Sequence, residues 1–532
     1  MQTKRKLLAI ISLVFFLSYN AISMVYSKER EFRGFMIDAP RATETMDYYF
    51  RLIDFLHEEK FNSIIFRLTD DQGSAYLFTS HPELNMCEGA FTALELKKIV
   101  KYAQKKGIEM IPEIESFGHS KYITQTERYQ FLNDGPAGAD FNALCPVNDS
   151  TFALMRDLYA EVASIFPGRY FHIGCDEVSW GASEMSKKAL ATKSKHQIWA
   201  EYVNKLNGCL KTIGKRTMIW GDVPIYQDKE VLDLLGKDIV IIDWNYWETN
   251  KEKIENVAHT VLNNGFQLIA CPALNWCGWG PRVGESQYKN ISAYAEVYGK
   301  LNNPNNLGII LSNWVPKRYL QNSQWDTYAI AAAIIKNKGN YDYMDAIPTF
   351  VQKHFGAKYD ANWEKIFRVI YEDAPHWACG GNGNLKFLLW HSANDIKNIQ
   401  LKNKQLNNQF SELKDLLHVC QDNVTKNKRD FDDFRLTIEF MAYNYNRQND
   451  LLAFVNSQMI DLESVDTYLK RVASEDQAML SKINLAWSFG RRCNPDPTDK
   501  DYMWSFYLAS NYSKYLSENP SEFIKILGEK QQ

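Results

Sequence analysis

The sequence carries no excess of either charge. Its 61 Lys and Arg against 64 Asp and Glu leave a net charge of −3. Without a basic excess there is no electrostatic footprint for nucleic acid, and without an acidic tail nothing marks a solvating or disordered chain. The nine cysteines include no C-x-x-C pair. An odd count cannot pair completely within the chain, and 532 residues do not need disulfides to hold a core. Most cysteines therefore read as small buried apolar residues, with Cys271 and Cys277 close enough in sequence to pair. There is no low-complexity tract and no repeat beyond the alternation described below. What is present is 45% hydrophobic residues, 14% aromatics and 14 Trp. This is the composition of a globular chain with room for one large domain and a smaller one. Aromatic richness suits a site that stacks on flat ligand faces, and a large core explains it as well.

The N-terminus reads as a Sec-type signal peptide over residues 1–27. Lys4-Arg5-Lys6 is a basic n-region, Leu7 to Leu17 is an apolar run broken only by Ser12, and small residues follow at Ala21 and Ser23. The run is short for a membrane span, so an uncleaved anchor is the lesser reading and no stable span is expected after signal removal. The first cysteine is Cys87, which leaves no lipobox. A secreted or periplasmic location follows.

From residue 31 short apolar runs alternate with amphipathic stretches. The runs are Phe32–Ala39, Ser63–Thr69, Glu109–Glu115, Tyr170–Asp176, Thr217–Val223, Ile239–Trp244, Phe266–Pro272 and Leu307–Trp314. Most are too continuous for half-exposed strands and read as strands buried on both faces of a parallel sheet. Helical patterns such as Met46–Lys60, Leu94–Lys106 and Trp325–Lys336 fall between or after them. Eight strands each followed by a helix predict an α/β fold, a (β/α)8 TIM barrel over 28–340, in preference to an open doubly wound sheet. The remainder, 341–532, loses strand-like runs and reads as a mainly α-helical C-terminal domain.

Barrel enzymes carry their chemistry at the C-terminal ends of the strands. Tyr170-Phe-His-Ile-Gly-Cys-Asp-Glu177 places Asp176 and Glu177 together at the end of strand four. Adjacent carboxylates there cannot both ionise cheaply, so one is expected protonated and one ionised. That pairing suits glycosidic bond cleavage, with a proton donor and a negative charge beside the anomeric carbon; a metal site or a solvated loop pair is the plainer alternative. Asp70 and Asp71 end strand two. Glu113, Glu115 and His119 follow strand three, where His119 either orients an acid or is merely a satisfied structural group. Arg33 and Asp38 on strand one complete a charged ring, in which a buried Arg pairs with carboxylates or binds a polyol. Trp220, Trp244 and Trp314 end strands five, six and eight, and Asp222 follows Trp220. Three tryptophans beside an acidic cluster form a wall for a sugar ring.

Together these runs resemble glycoside hydrolase family 20, the β-N-acetylhexosaminidases. Arg33-Gly-Phe-Met-Ile-Asp38-Ala-Pro-Arg41 resembles the family's RGxxxDxxR, whose first Arg holds sugar hydroxyls. Leu68-Thr-Asp-Asp-Gln-Gly73 resembles its second-strand motif. Ile111-Pro-Glu-Ile-Glu-Ser-Phe-Gly-His119 is similar to PEIDxPGH, and His172-Ile-Gly-Cys-Asp-Glu177 to HxGGDE. Met218 to Asp222, Asp243-Trp244 and Asn313-Trp314 match its tryptophan strands. The resemblance implies an exo-acting, retaining, substrate-assisted hydrolase that removes terminal β-linked GlcNAc or GalNAc. The substrate's 2-acetamido oxygen attacks C1, an ionised Asp176 steadies the acetamido group, and a neutral Glu177 protonates the leaving oxygen and then activates water. Arg33, Asp70, His119, Trp220, Asp222, Trp244 and Trp314 would bind substrate. No metal or organic cofactor is implied. The expected partner is an oligosaccharide or glycoconjugate, with no nucleic acid and at most a second copy in a homodimer.

The sequence departs from the family pattern in several places. Cys175 replaces the second Gly of HxGGDE, and Glu115 and Phe117 replace the Asp and Pro of the third motif. No Tyr follows strand seven. Val315-Pro-Lys317 stands where an acid usually follows the strand-eight Trp. Almost nothing precedes the barrel, where a small α/β domain is usual. These changes point to a divergent branch, and to two alternatives: a glycan-binding barrel without turnover, and a barrel glycosidase for a different or modified sugar.

Overall fold

The structure is a computed structural model describing residues 31–139, 143–275, 282–340, 342–373, 393–457, 461–496 and 506–530. The expected signal peptide, Cys277, Trp276 and Trp279 lie outside these residues. Eight parallel strands close into a barrel: β1 (Phe32–Asp38), β2 (Ser63–Arg67), β3 (Glu109–Glu113), β4 (Tyr170–His172), β5 (Arg216–Trp220), β6 (Val240–Asp243), β7 (Gln267–Ala270) and β8 (Asn306–Asn313). Closure is made by β8 pairing back onto β1, from Phe32↔Gly308 to Phe35↔Leu311.

Alternation along each strand divides the core in two. Met36, Ile65, Ile111, Met218, Ile242 and Ile310 fill the barrel interior. Phe35, Ile64, Phe66, Ile219, Ile241 and Leu311 face outward into the shell between strands and helices. Gly34 is required on the inner face, since a Cβ there would meet Ile310 Cγ1 at 2.6 Å. The register carries one interior layer round the barrel mouth: Asp38 opposes Arg67, Arg67 opposes Glu113, and Glu113 opposes His172.

Helices α1 (Met46–Glu58), α2 (Ala93–Lys105), α3 (Asp149–Ala163), α4 (Lys195–Thr212), α5 (Lys251–Asn263), α6 (Glu285–Lys300) and α7 (Trp325–Lys336) surround the strands. Side-chain caps start several of them. Thr45 accepts from Tyr48 N, and Thr92–Glu95 and Ser194–Gln197 form capping boxes. After β5 the chain makes a π-helical turn, Asp222–Gln227, and a single helical turn, Val231–Leu234, where a full helix would otherwise stand. Pro224 inside that turn has no N–H to contribute to a regular helix.

Beyond β8 the described residues contain no further strand. They form α8 (Ala361–Arg368), α9 (Ala393–Gln421), α10 (Lys428–Val455), α11 (Leu462–Gly490), α12 (Phe506–Glu518) and α13 (Pro520–Lys530). One apolar cluster runs without a break from Phe35 in the barrel wall through Ile366 to Phe431 and Tyr445 in α10. Among the described residues no helix is long and apolar enough to cross a membrane.

Candidate active site at the barrel mouth

The site is built on the interior ends of β1 to β4. Arg67, the last residue of β2, is fully buried. Its Nη1 donates to Asp38 Oδ1 (3.1 Å) and Asp70 Oδ2 (2.7 Å), and its Nη2 to Glu115 Oε1 (2.8 Å). Arg41, on the loop after β1, donates to Asp38 Oδ2 (3.2 Å) and Asp70 Oδ2 (2.9 Å). Both guanidinium groups face the Trp314 ring, at 5.3 Å for Arg41 and 5.1 Å for Arg67. Burial opposes ionisation of Asp70, but Arg41, Arg67 and His119 outweigh it and hold the carboxyl well below its usual range.

His119 sits between two pairs of acids. Its Nδ1 is 3.2 Å from Asp71 Oδ2, and its Nε2 is 3.2 Å from Glu177 Oε2 and 3.6 Å from Asp176 Oδ2. Burial disfavours the imidazolium, yet Asp176, Asp71 and Glu177 carry its pKa well above the ordinary value. His119 is therefore a cation at neutral pH and donates from both nitrogens. His119, Asp176 and Glu177 also have ligand atoms within 4.8 Å of one another. A metal bound there would first have to displace the imidazolium proton.

The backbone at this point is strained. Four of the seven described non-glycine residues with positive φ lie in the site: His119 (47°), Cys175 (75°), Glu177 (48°) and Val315 (51°). Such strain persists where the surroundings over-determine it and gathers at functional sites. Strand β4 ends at His172, short of the expected Asp176, because Gly174, Cys175 and Glu177 all leave the extended region. Gly174 cannot carry a side chain, since a Cβ would lie 1.9 Å from Glu115 Oε2. Gly118 lets the loop after β3 close on Asp176, whose carbonyl oxygen lies 2.2 Å from where its Cβ would be. Cys175, in the place of a glycine, is buried with its thiol donating to Ile173 O at 3.4 Å.

Asp176 is buried, with Oδ1 lacking a hydrogen-bond partner among the described residues, while the Glu177 side chain is 42% exposed. Burial pushes the Asp176 carboxyl up, against His119 and with help from Glu177. For Glu177 burial also pushes upward, but the His119 hydrogen bond and charge, with Arg41 and Arg67 behind, hold it below its ordinary value. Both directions run against the expected division of a neutral Glu177 and an ionised Asp176: in the free protein Glu177 is the one held toward its ionised form. The reason is positional: the buried member loses hydration, and the exposed one receives the imidazolium. Asp222 Oδ2 accepts from Glu177 N (2.9 Å) and from Gln227 Nε2 (3.1 Å). Burial and the neighbouring Asp176 push Asp222 up to about 7. Glu113, buried and facing Asp176, is likewise pushed up to about 7 against the pull of Arg67.

The aromatic residues take different stations. Trp220 is fully buried beneath the site, donates from Nε1 to Glu113 Oε1 (2.8 Å) and packs on His172 and Trp314. Trp314 donates from Nε1 to Tyr246 Oη (2.7 Å). Trp244 is half-buried, and its Nε1 has no partner among the described residues. Trp247 is exposed.

Arg33 does not join them. It is exposed near the N-terminal end of β1 and shares the outward face with Phe35 and Ile37, while Asp38 points inward with Met36. Its expected place in the charged ring is taken by Arg41 and Arg67. The signal was present in the period of two, since Arg67 shares a face with inward Ile65. Tyr246, two residues beyond Trp244, is a further buried member of the site that the motifs did not single out.

A second group, His196, Asp228 and Glu230, has ligand atoms within 4.8 Å of one another at the surface. His196 Nε2 is 3.1 Å from Glu230 Oε2, an exposed pair that needs no ion to account for it.

The barrel agrees with likenesses to known proteins. Residues 31–306 match the model of the glycosyl hydrolase family 20 catalytic domain. Beta-hexosaminidase from Vibrio furnissii is 27% identical over 283 residues, 46% of this chain and 43% of that protein. Beta-hexosaminidase from Porphyromonas gingivalis is 28% identical over 218 residues, 36% of this chain and 28% of that protein. The match thus spans less than half the length of these relatives. The crystal structure of beta-N-acetylhexosaminidase from Bacteroides fragilis has the same fold, with a TM-score of 0.50 at 20% identity over 61% of this chain and 69% of that one. With a family domain covering more than half its length, closed on the same barrel, the chain belongs to glycosyl hydrolase family 20.

Proposed function

We propose that the protein is an exo-acting, retaining β-N-acetylhexosaminidase that works by substrate assistance outside the cytoplasm, as a secreted or periplasmic enzyme. The observation that carries this reading is the His119 ring held between Asp71 and the Asp176–Glu177 pair. Asp176 offers Oδ1, buried and without a partner among the described residues, to the acetamido N–H. A donor there favours the carboxylate form and steadies the charge that develops as the acetamido oxygen attacks C1. The arriving sugar covers the exposed side of Glu177 and removes its water, which raises its pKa. Substrate binding therefore favours the carboxylate of Asp176 and the protonated form of Glu177, the arrangement needed for protonating the leaving oxygen. Glu177 then takes a proton from the water that opens the cyclic intermediate. Trp314 and Trp244 supply the apolar wall, and Arg41 and Asp70 the polar one.

The test is a panel of aryl β-glycosides with and without the 2-acetamido group, using the wild-type protein and Glu177→Gln. Release only from the acetamido sugars supports the reading. Equal release from glycosides lacking the group would sink substrate assistance. No release, with binding kept in Glu177→Gln, would favour a glycan-binding barrel.

A second reading, a glycosidase for a charged or modified sugar, is favoured by Lys317. Its ammonium group donates to Gln72 Oε1, joining the loop after β8 to the turn after Asp70 and Asp71. Sulfated and unsulfated N-acetylhexosaminides compared on wild type and Lys317→Ala distinguish the two.

A further inference from the structure

The C-terminal helices return to the barrel mouth at the end of α11. Thr45 N donates to Gly490 O and Arg492 N to Thr43 O, both at 2.9 Å, and Glu44 and Arg491 pair as an antiparallel bridge. The chain leaving α11 thus lies antiparallel, through one isolated bridge, against the loop after β1, which carries Arg41. A Cβ on Gly490 would fall 1.8 Å from Gln321 Nε2, so a larger residue here would displace the Gln321 side chain.

From that bridge the fully buried Arg491 side chain reaches inward. Its Nε is 3.2 Å from Glu44 Oε1. Its Nη2 donates to Tyr319 O (2.8 Å) and to Pro316 O. Its guanidinium stacks on Trp487 of α11 at 3.6 Å from the ring centroid. Pro316 and Tyr319 bracket Lys317 in the loop after β8, which begins with Trp314 and the strained Val315. The inner end of that loop is tied separately, by Val315 N donating to Asp38 Oδ2 at 2.9 Å. One guanidinium therefore fastens two site loops to each other and to the helical region. Asn494 on Glu88 and Arg492 on Glu95 extend the same seam along the mouth.

We propose that Arg491 is a positioning residue for substrate binding, and that the C-terminal helical region is a working part of the site through it. Arg491 touches none of Asp176, Glu177 and His119 in the contacts above. Its loss should loosen the Arg41 and Trp314–Tyr319 loops while leaving the acid pair in place. The fork geometry matters: a lysine keeps the charge but cannot reach Glu44 and two carbonyls at once.

The experiment uses the full chain as wild type, Arg491→Lys and Glu44→Gln, each assayed well below its Tm. Backbone hydrogen exchange is followed in residues 39–45, 314–320 and 172–177, together with kcat and KM on an aryl β-N-acetylhexosaminide. For Arg491→Lys we expect exchange in both loops to rise by about tenfold or more, with 172–177 unchanged. KM should rise roughly five- to tenfold while kcat and its pH profile stay within about twofold. Glu44→Gln should loosen 39–45 alone, and it carries the test if Arg491→Lys does not fold. A lowered Tm with loop exchange and KM unchanged would make Arg491 a purely structural clamp and overturn the proposal. So would faster loop exchange without a change in KM. The kinetic arm rests on the hydrolase reading; a wild-type protein that releases nothing would sink that reading alone, and the exchange arm would still decide whether Arg491 holds the loops.

Discussion

The Nε2 atom of His119 lies 3.2 Å from Oε2 of Glu177. Beside the buried His119 ring the exposed Glu177 carboxyl is held toward its ionised form in the free protein, and the proposed reaction has it reprotonated when substrate covers it. Four outcomes follow from the geometry around this pair.

Glu177→Gln removes the group placed to exchange a proton with the leaving oxygen and with water. Turnover should fall by about 10²–10⁴-fold. Stability should hardly change, because the side chain is 42% exposed. Steady-state kinetics and a thermal melt check both halves. A variant within tenfold of wild type would remove Glu177 from the chemistry.

His119 has a folded-state pKa raised well above its ordinary value by Asp176, Asp71 and Glu177 against the cost of burial. The folded state binds this proton more tightly than the unfolded one, whose His titrates near about 6.5. The contribution to stability is therefore full below that value and fades as pH rises through the raised folded pKa. His119→Gln should lie furthest below wild type in mild acid, with the gap closing toward alkaline pH. Denaturant midpoints measured across pH test this; a gap that widens with pH would contradict it.

Arg33 and Arg41 stand at opposite ends of the same segment. Arg33→Ala, at an exposed position near the bottom of β1, should leave kcat/KM unchanged. Arg41→Ala strips a half-buried cation from Asp38 and Asp70 beside Trp314 and leaves Arg67 alone to hold both carboxylates. A rise in KM and a lower Tm should appear together. Loss of activity in Arg33→Ala would restore the expectation drawn from the motif.

Asp222 accepts the backbone N–H of Glu177, and burial and the charge of Asp176 push it up to about 7. Asp222→Asn keeps an oxygen for that N–H but removes a negative neighbour. The anions of Asp176 and Glu177 become easier to form, so both limbs of the pH–kcat/KM profile should move to lower pH. A profile that does not move would leave Asp222 as a backbone anchor only.

Much of this site was legible in one dimension. The eight buried strands came from runs such as Ser63–Thr69, and all eight lie within a few residues of their expected bounds. Asp176, Glu177, Asp70, His119 and Trp314 were recognisable because each stands just past a strand, where a barrel exposes its chemistry. The helical character of the C-terminal region followed from the disappearance of such runs.

Other features needed the closed barrel. Arg33 and Arg67 are both strand arginines, and only the inner or outer face of the pleat separates a surface group from the centre of the charge network. The opposite shifts of the acid pair were decided by depth: neighbours in sequence, Asp176 and Glu177 differ because one is buried and the other meets His119 from another loop. Arg491 is 447 residues from Glu44 and ends a helix in a region with no catalytic motif. Local sequence determines strands, caps and the residues at strand ends, because these rest on short-range periodicity and hydrogen bonding. Which charges share a buried space, and so which of them are protonated, is decided by contacts between distant segments, where desolvation and Coulomb energies are set by three-dimensional distance.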